Sequence, residues 1–186
     1  MSAAAGRRSR RDWGWHRLTD EWAARLVEDA DIQPGDLVID IGAGQGVITA
    51  RLLRAGANVI AVELHPGRAA QLRRRFAGTP TTVVRVDAAS LRLPRRPFRV
   101  VANPPFAISS AVLRRLLSQG SRLIAADLVL QQAVVRHYVS GAPPGANRWM
   151  QTWEVEQGRM LPRRAFEPAP RVDPAVLVIR RRSPRH

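Results

Sequence analysis

Short apolar runs alternate along this chain with stretches whose apolar residues recur at helical spacing. Val38 to Ile41, Val59 to Val62, Thr82 to Val86, Phe98 to Ala102 and Leu123 to Leu130 are compact and largely aliphatic. They read as strands of a parallel sheet buried on both faces. Between them, Leu18, Trp22 and Leu26 share one helical face, as do Ile48, Leu52 and Leu53, then Ala69, Leu72 and Phe76, then Val112, Leu113, Leu116 and Leu117. Thr19 before Asp20 and Glu21, Pro66, and Ser109-Ser110 predict helix starts, and Gly56 predicts a helix stop. Gln131 to Tyr138 reads as a short helix and residues 140–148 as a Gly/Pro-rich loop. Met150 to Gln157 and Ala175 to Arg180 read as a closing strand pair. This β–α alternation predicts an open α/β sheet, mostly parallel, with its site at the carboxyl ends of the strands.

Composition narrows the picture. With 186 residues and 45% hydrophobic content the chain can bury a core. It has no long apolar run and no apolar leader segment. It has no Cys, which excludes disulfides, a thiolate nucleophile and a cysteine metal site. The net charge is +15 and every basic residue outside His is Arg. Arginine grips phosphate in a fork and stacks on bases, so the expected partner is a nucleic acid. Residues 1–17 form the predicted basic arm, 18–180 the catalytic domain and 181–186 a basic tail.

Candidate chemistry gathers at four predicted strand ends. Asp40-Ile41-Gly42-Ala43-Gly44-Gln45-Gly46 joins a strand, a glycine-rich turn and a helix start. The glycines let the backbone approach a ligand, and an acidic residue beside free amides suits an ammonium and a carboxylate, as in S-adenosylmethionine. Glu63 follows Gly46 at about the offset where an acid meets ribose hydroxyls. Asp87 is placed to accept from an exocyclic amine such as adenine N6. Asn103-Pro104-Pro105-Phe106 has a sharper chemical meaning. An exocyclic amine on a base is a poor nucleophile, because its lone pair is delocalised. An Asn oxygen and a neighbouring carbonyl can accept its two hydrogens and turn the lone pair toward a methyl donor. The prolines stiffen the loop, and Phe106 offers a stacking face. His16, His65, His137 and His186 lack metal-ligand spacing, and Ser109 reads as a helix cap.

These motifs, with Leu130-Gln131-Gln132-Ala133 through Arg136 and the late Phe166-Glu167-Pro168-Ala169-Pro170-Arg171-Val172-Asp173, resemble the Erm-type and KsgA-type rRNA adenine N6-methyltransferases. The likeness spans about His16 to Arg180 and is nearest to the Erm branch. It implies a Rossmann-like class I S-adenosylmethionine-dependent fold with a seven-stranded sheet and a closing antiparallel strand. It also implies N6-methylation of an adenine in 23S rRNA, and through it resistance to macrolides, lincosamides and streptogramins. Cofactor contacts are implied for His16, Leu18, Asp40, Gly42, Gly44, Glu63, Asp87 and Asn103, and catalytic roles for Asn103, Pro104 and Phe106. Where family members carry Gln-Asn-Phe-Leu, this chain has Trp15-His16-Arg17-Leu18, so only Leu18 agrees. The family usually adds a small helical domain after the catalytic one. Here the arm, the Arg92–Arg96 loop and the basic tail are expected to share the RNA contacts. A cytoplasmic monomer that needs neither membrane nor metal is implied.

Three other readings remain at this point. An Asn-Pro-Pro-aromatic motif also serves methyltransferases acting on DNA adenine or on basic proteins. A catalytically silent RNA-binding module could use the same scaffold. An NAD-linked oxidoreductase fits less well, because the glycine spacing departs from the dinucleotide fingerprint.

Overall fold

A computed structural model describes residues 16–183. In chain order the elements are β1 (Arg17–Leu18), α1 (Asp20–Asp29), β2 (Leu37–Ile41), α2 (Val47–Arg54), β3 (Asn58–Val62), α3 (Pro66–Arg75), β4 (Thr81–Val84), β5 (Phe98–Ala102), α4 (Ser109–Leu116), β6 (Leu123–Gln131), α5 (Gln132–Val139), α6 (Ala146–Trp149), β7 (Trp153–Met160), β8 (Phe166–Glu167) and β9 (Pro174–Arg181). Seven strands form one sheet in the order β4-β3-β2-β5-β6-β9-β7. The first five are mutually parallel, and β9 runs antiparallel between β6 and β7. The fold class expected from the sequence is therefore present. Strand order reverses between β2 and β5, the place where open α/β sheets leave a crevice at their carboxyl rim.

The strands look uniformly apolar because both faces are covered. Ile39, Val100, Leu128 and Leu130 pack with α4, α5 and the Trp149–Trp153 segment. Their neighbours in sequence, Val38, Val101 and Val129, face the other way onto Trp22 and Leu26 of α1 and Ile48 and Leu52 of α2. A smaller cluster joins Ala43, Ala61, Leu72 and Phe76, and so ties α3 to the glycine turn. On the α1 face a buried carboxylate, Asp127, is paired with the half-buried Arg180. Arg180 donates to both oxygens of Asp127 at 2.9 Å, yet burial still pushes the Asp127 carboxyl upward against that pull.

Several boundaries differ from the sequence reading. The Gly/Pro-rich stretch holds the one-turn helix α6, which carries Trp149 into the core. β4 stops at Val84, and β7 starts at Trp153. Ser109 does not cap α4: its hydroxyl donates back to the Phe106 carbonyl at 2.9 Å, inside the short 3-10 turn Phe106–Ile108. A second, two-stranded sheet pairs β1 with β8 antiparallel. Leu18 and Phe166, which face each other in it, are both buried. Residues 16 and 17, assigned to the end of the basic arm, are thus held in the fold. Trp13, Trp15 and the arm's Arg7 to Arg11 lie outside the described residues.

The glycine turn is fastened by its tightest residue. Gly46 has φ +81°, and a Cβ there would lie 2.5 Å from Phe76 Cε2 and 2.8 Å from Leu72 Cδ2. Gly46→Ala should cost about 2–5 kcal/mol, from left-handed strain and overpacking together. Gly78 has φ +76° but open space around it. Gly78→Ala should show only the backbone part, about 1–2 kcal/mol. Urea unfolding of both variants measures the difference.

Candidate active site at the carboxyl rim of the sheet

β2 delivers Asp40 and then the turn, in which Gly42, Gly44 and Gly46 all have positive φ. The amides of Gly42 and Ala43 both donate to the Val62 carbonyl, at 2.8 and 2.9 Å, which pins the turn to the end of β3. Just beyond lies Glu63, only 4% exposed. Its Oε2 accepts from the Gly44 amide at 2.9 Å; its Oε1 accepts from the His65 amide at 2.8 Å and from Arg68 at 3.1 Å. Glu63 therefore braces the glycine turn from below while it occupies the rim. His65 then caps α3, with Nδ1 accepting from the amides of Gly67 and Arg68.

Asp40 is almost fully buried. Thr49 of α2 donates to its Oδ2 at 2.7 Å, while Oδ1 has no hydrogen-bond partner among the described residues. An unmatched buried carboxylate oxygen is costly and points to a missing donor. Burial pushes this carboxyl up to about 7, the Thr49 hydroxyl opposes the shift, and the nearby Glu63 charge adds to it.

The loop after β5 lies against the same turn. A Cβ on Gly42 would stand 3.0 Å from Pro105 Cδ, 3.5 Å from Pro104 Cα and 3.8 Å from the Asn103 carbonyl oxygen. Only a glycine allows that approach without displacement. Asn103 and the glycine turn line one narrow cleft of about 20 Å³, shared with Leu18, Asp40 and Arg17. The Asn103 amide nitrogen donates to the His16 carbonyl at 2.6 Å. Its Oδ1 accepts nothing from the described residues and is left for an incoming donor. Phe106 is half-buried beside the His16 ring, with centroids 6.0 Å apart. His16 Nδ1 donates to the Pro168 carbonyl at 2.9 Å, which places the ring proton on that nitrogen.

The pairing of β1 with β8 explains how the late motif reaches this rim. Arg17 donates to Glu167 at 2.5 Å and to the Gln45 side chain at 3.0 Å, so it bridges β8 and the glycine turn. Thr19 N–H donates to the Ala165 carbonyl, and Gln132 N–H to the Asp173 carbonyl. Of the expected site residues, His16, Leu18, Asp40, Gly42, Gly44, Glu63, Asn103, Pro104 and Phe106 are gathered here. Asp87 stands further along the rim, exposed, with Oδ1 capping the turn Ala88–Ser90 through the Ala89 amide. Arg17, Gln45, Thr49, Arg68 and Glu167 escaped the sequence reading. Arg17 pairs with Gln45 and Glu167, which lie 28 and 150 residues away, and no motif announces the nearer Thr49–Asp40 and Arg68–Glu63 contacts.

Asp40 makes stability depend on pH in a defined direction. Its folded pKa of about 7 lies above the unfolded 3.8, so the folded state holds the proton longer. The contribution favours folding below about pH 4 and is lost as pH rises toward 7, by roughly 4 kcal/mol as an upper order of magnitude. Asp40→Asn should flatten that part of the stability–pH curve, measured by chemical unfolding from pH 4 to 8 in the absence of cofactor.

Known proteins resemble this chain in sequence and fold. A family model described as ribosomal RNA adenine dimethylase matches residues 6–186. An rRNA methyltransferase of Streptomyces thermotolerans is 37% identical over 180 residues, 94% of this chain and 60% of its own length. The chain thus spans about three-fifths of that curated relative. A ribosomal RNA small subunit methyltransferase A of Leptothrix cholodnii is 34% identical, covering 90% of this chain and 66% of that protein. Among solved structures, the 23S rRNA methyltransferase ErmE superposes with a TM-score of 0.81 at 29% identity, over 89% of this chain and 70% of that one. The fold is that of the class I methyltransferases, whose methyl donor is S-adenosylmethionine. Fold and sequence agree that this chain belongs to the ribosomal RNA adenine dimethylase family.

Proposed function

We propose that this protein transfers a methyl group from S-adenosylmethionine to the N6 amine of an adenine in 23S rRNA. The observation that carries the reading is the abutment of the Asn103–Phe106 loop on Gly42, with Asn103 anchored through its nitrogen and presenting its oxygen. The residues present fit the cofactor. The unmatched Oδ1 of Asp40 suits a cationic amino-acid end, the glycine turn allows close approach, and the exposed oxygen of Asp87 suits an adenine amine. Glu63 can accept from ribose hydroxyls on lone pairs its present donors leave open. Bound S-adenosylmethionine supplies an electrophilic methyl on a sulfonium.

The protein's share of the chemistry is alignment. Asn103 Oδ1 and a backbone carbonyl of the prolyl loop accept the two hydrogens of the target amine, and the nitrogen lone pair turns toward the donor. Phe106 stacks on the target base, which must be unpaired or extruded to reach the rim. Pro104 and Pro105 hold the acceptors in place before the base arrives. His16 and its bond to Pro168 fix the carbonyl on which Asn103 is anchored. The new N–C bond would form as the methyl–sulfur bond breaks and a neutral thioether leaves, and the amine nitrogen would shed one proton to solvent. The cleft is narrow, so Arg17 and Gln45 must swing aside to admit the cofactor.

The choice of 23S rRNA rests on the Erm-like motifs and on the ErmE likeness; relatives named for the small subunit point to 16S rRNA instead. Resistance to macrolides, lincosamides and streptogramins follows from the 23S reading. Labelled methyl transfer to 23S rRNA, 16S rRNA, DNA and a basic protein, run side by side, tests the substrate. We expect label on adenine N6 of 23S rRNA; label confined to 16S rRNA, DNA or protein overturns the choice. Asn103→Ala should lower kcat by about 10²–10³-fold, the usual loss for one preorganised polar contact to a transition state. Turnover within twofold of wild type would reject the mechanism.

A further inference from the structure

The opposite rim of the sheet carries a feature that methyl transfer does not use. Two adjoining hollows, of about 760 and 440 Å³, lie where β5, β6 and β7 begin and β9 ends. They share Gln119, Gly120, Ser121 and Arg122, so together they form one trough. Among the described residues, no acidic side chain lines either hollow. Arg95, Arg115, Arg122, Arg148 and Arg181 do line them, and none of the five pairs with a carboxylate among the described residues.

This charge bias is written into one segment of the chain. Residues 88–153 contain nine arginines and a single acid, Asp127, which is buried and spent on Arg180. Two of the lining arginines are structural in part. Arg115 donates to the Leu91 carbonyl at 2.7 Å; Arg181 donates to the carbonyls of Leu123 and Ser121 and lies over the Trp153 ring. Arg95, Arg122 and Arg148 are exposed, and their side chains make no hydrogen bond to the described residues, although the Arg122 carbonyl and the Arg148 amide bond within the backbone. Uncharged donors, Gln119, Gln151 and Thr152, stand between them. Arginine forks interleaved with neutral donors are the contact set of a phosphodiester backbone.

We propose that this trough is a second docking site for structured RNA, holding its backbone at the rim opposite the methyl-donor cleft. The inference rests on the RNA-substrate reading above. An acidic protein partner fits less well. A protein interface is centred on exposed aromatic or aliphatic anchors, whereas here Trp149 and Trp153 are buried and Ile124 is the one large exposed apolar side chain in the lining. The two rims are separated by the length of β5, about 17 Å for five residues. A folded RNA spans that distance, and α4 joins the two ends: it starts at the Phe106 turn and carries Arg114 and Arg115 in its last turn. Binding at both rims would give the protein a purchase on a stem near the target adenine while the adenine itself is extruded.

The test is the triple variant Arg95→Ala, Arg122→Ala and Arg148→Ala, which spares the arginines that hold backbone carbonyls. Binding to a 23S rRNA transcript, and to an unrelated RNA duplex, is measured from 50 to 200 mM salt. Calorimetry with S-adenosylmethionine reports the distant donor cleft and should be unchanged. The trough reading expects at least tenfold weaker RNA binding, and a slope of log affinity against log salt shallower by about 2–3, near one per lost phosphate contact. Unchanged affinity and slope for both RNAs overturn the trough and leave the methyl-transfer reading standing. Weakened duplex binding by the variant, in a protein that methylates no rRNA, supports the trough and removes the substrate reading. Loss of binding to polyglutamate with RNA binding intact assigns the trough to an acidic protein and overturns the proposal.

Discussion

The missing side chain of Gly42 sets the distance on which the rim depends. The turn after β2 and the prolyl loop after β5 come as near as Pro105 Cδ at 3.0 Å from where a Cβ would be. They meet because β2 and β5 are neighbours at the reversal of strand order, which directs their outgoing loops into one crevice. Glycine alone would give a floppy contact, and proline alone a rigid loop at no fixed distance. Together they put a ligand-facing turn and a pair of acceptors in register before any ligand is bound. That is the kind of preorganisation an alignment-driven transfer needs.

A second constraint comes from far along the chain. β1 and β8 are each two residues long and could not persist as isolated strands. Leu18 and Phe166 bury themselves in the α1-side core, and that burial holds the pair in place. What the pairing achieves is local to the rim. It sets the His16 carbonyl under the Asn103 amide, brings Pro168 to the His16 ring, and lets Arg17 reach both Glu167 and Gln45. The site is thus a joint between four separated stretches. The late Phe166–Asp173 motif contributes geometry to it and no reacting group.

How legible each part was follows from the range of the interactions behind it. The five parallel strands and the helices α1 to α5 were readable, because two-sided burial and helical spacing are local patterns. Asp40, Glu63, Asp87 and Asn103 were readable as strand-end residues, since parallel topology alone brings such ends to one rim. The β1–β8 pairing was not, as a two-residue strand has no periodicity to detect. Ser109 misled for a related reason. A serine before a helix reads as a cap, but here the preceding 3-10 turn offers the Phe106 carbonyl first. The turn of helix at Ala146–Trp149 was hidden by its glycines and prolines, and the burial of Trp149 overrides them. Glu63 shows the limit most clearly. Its position was evident, but that its carboxylate also braces the Gly44 amide is a fact of tertiary structure.

Charge completes the account, because two opposite demands meet in one small chain. A chain of net charge +15 attracts a polyanion and repels a cationic cofactor. The rim resolves this by burying two carboxylates, Asp40 and Glu63, side by side under the glycine turn, where low polarity strengthens their field. Burial is costly and is the main reason the Asp40 carboxyl is raised, and the Glu63 charge adds to it. A cation held there relieves the cost: it supplies the donor that Oδ1 lacks and favours the charged form of Asp40. The same carboxylates would hold a sulfonium more firmly than the neutral thioether left after methyl transfer. The two acids are buried while most of the described arginines are exposed, so the two attractions need not cancel. On the proposed reading, burial of the acids lets one small chain take two ligands of opposite sign.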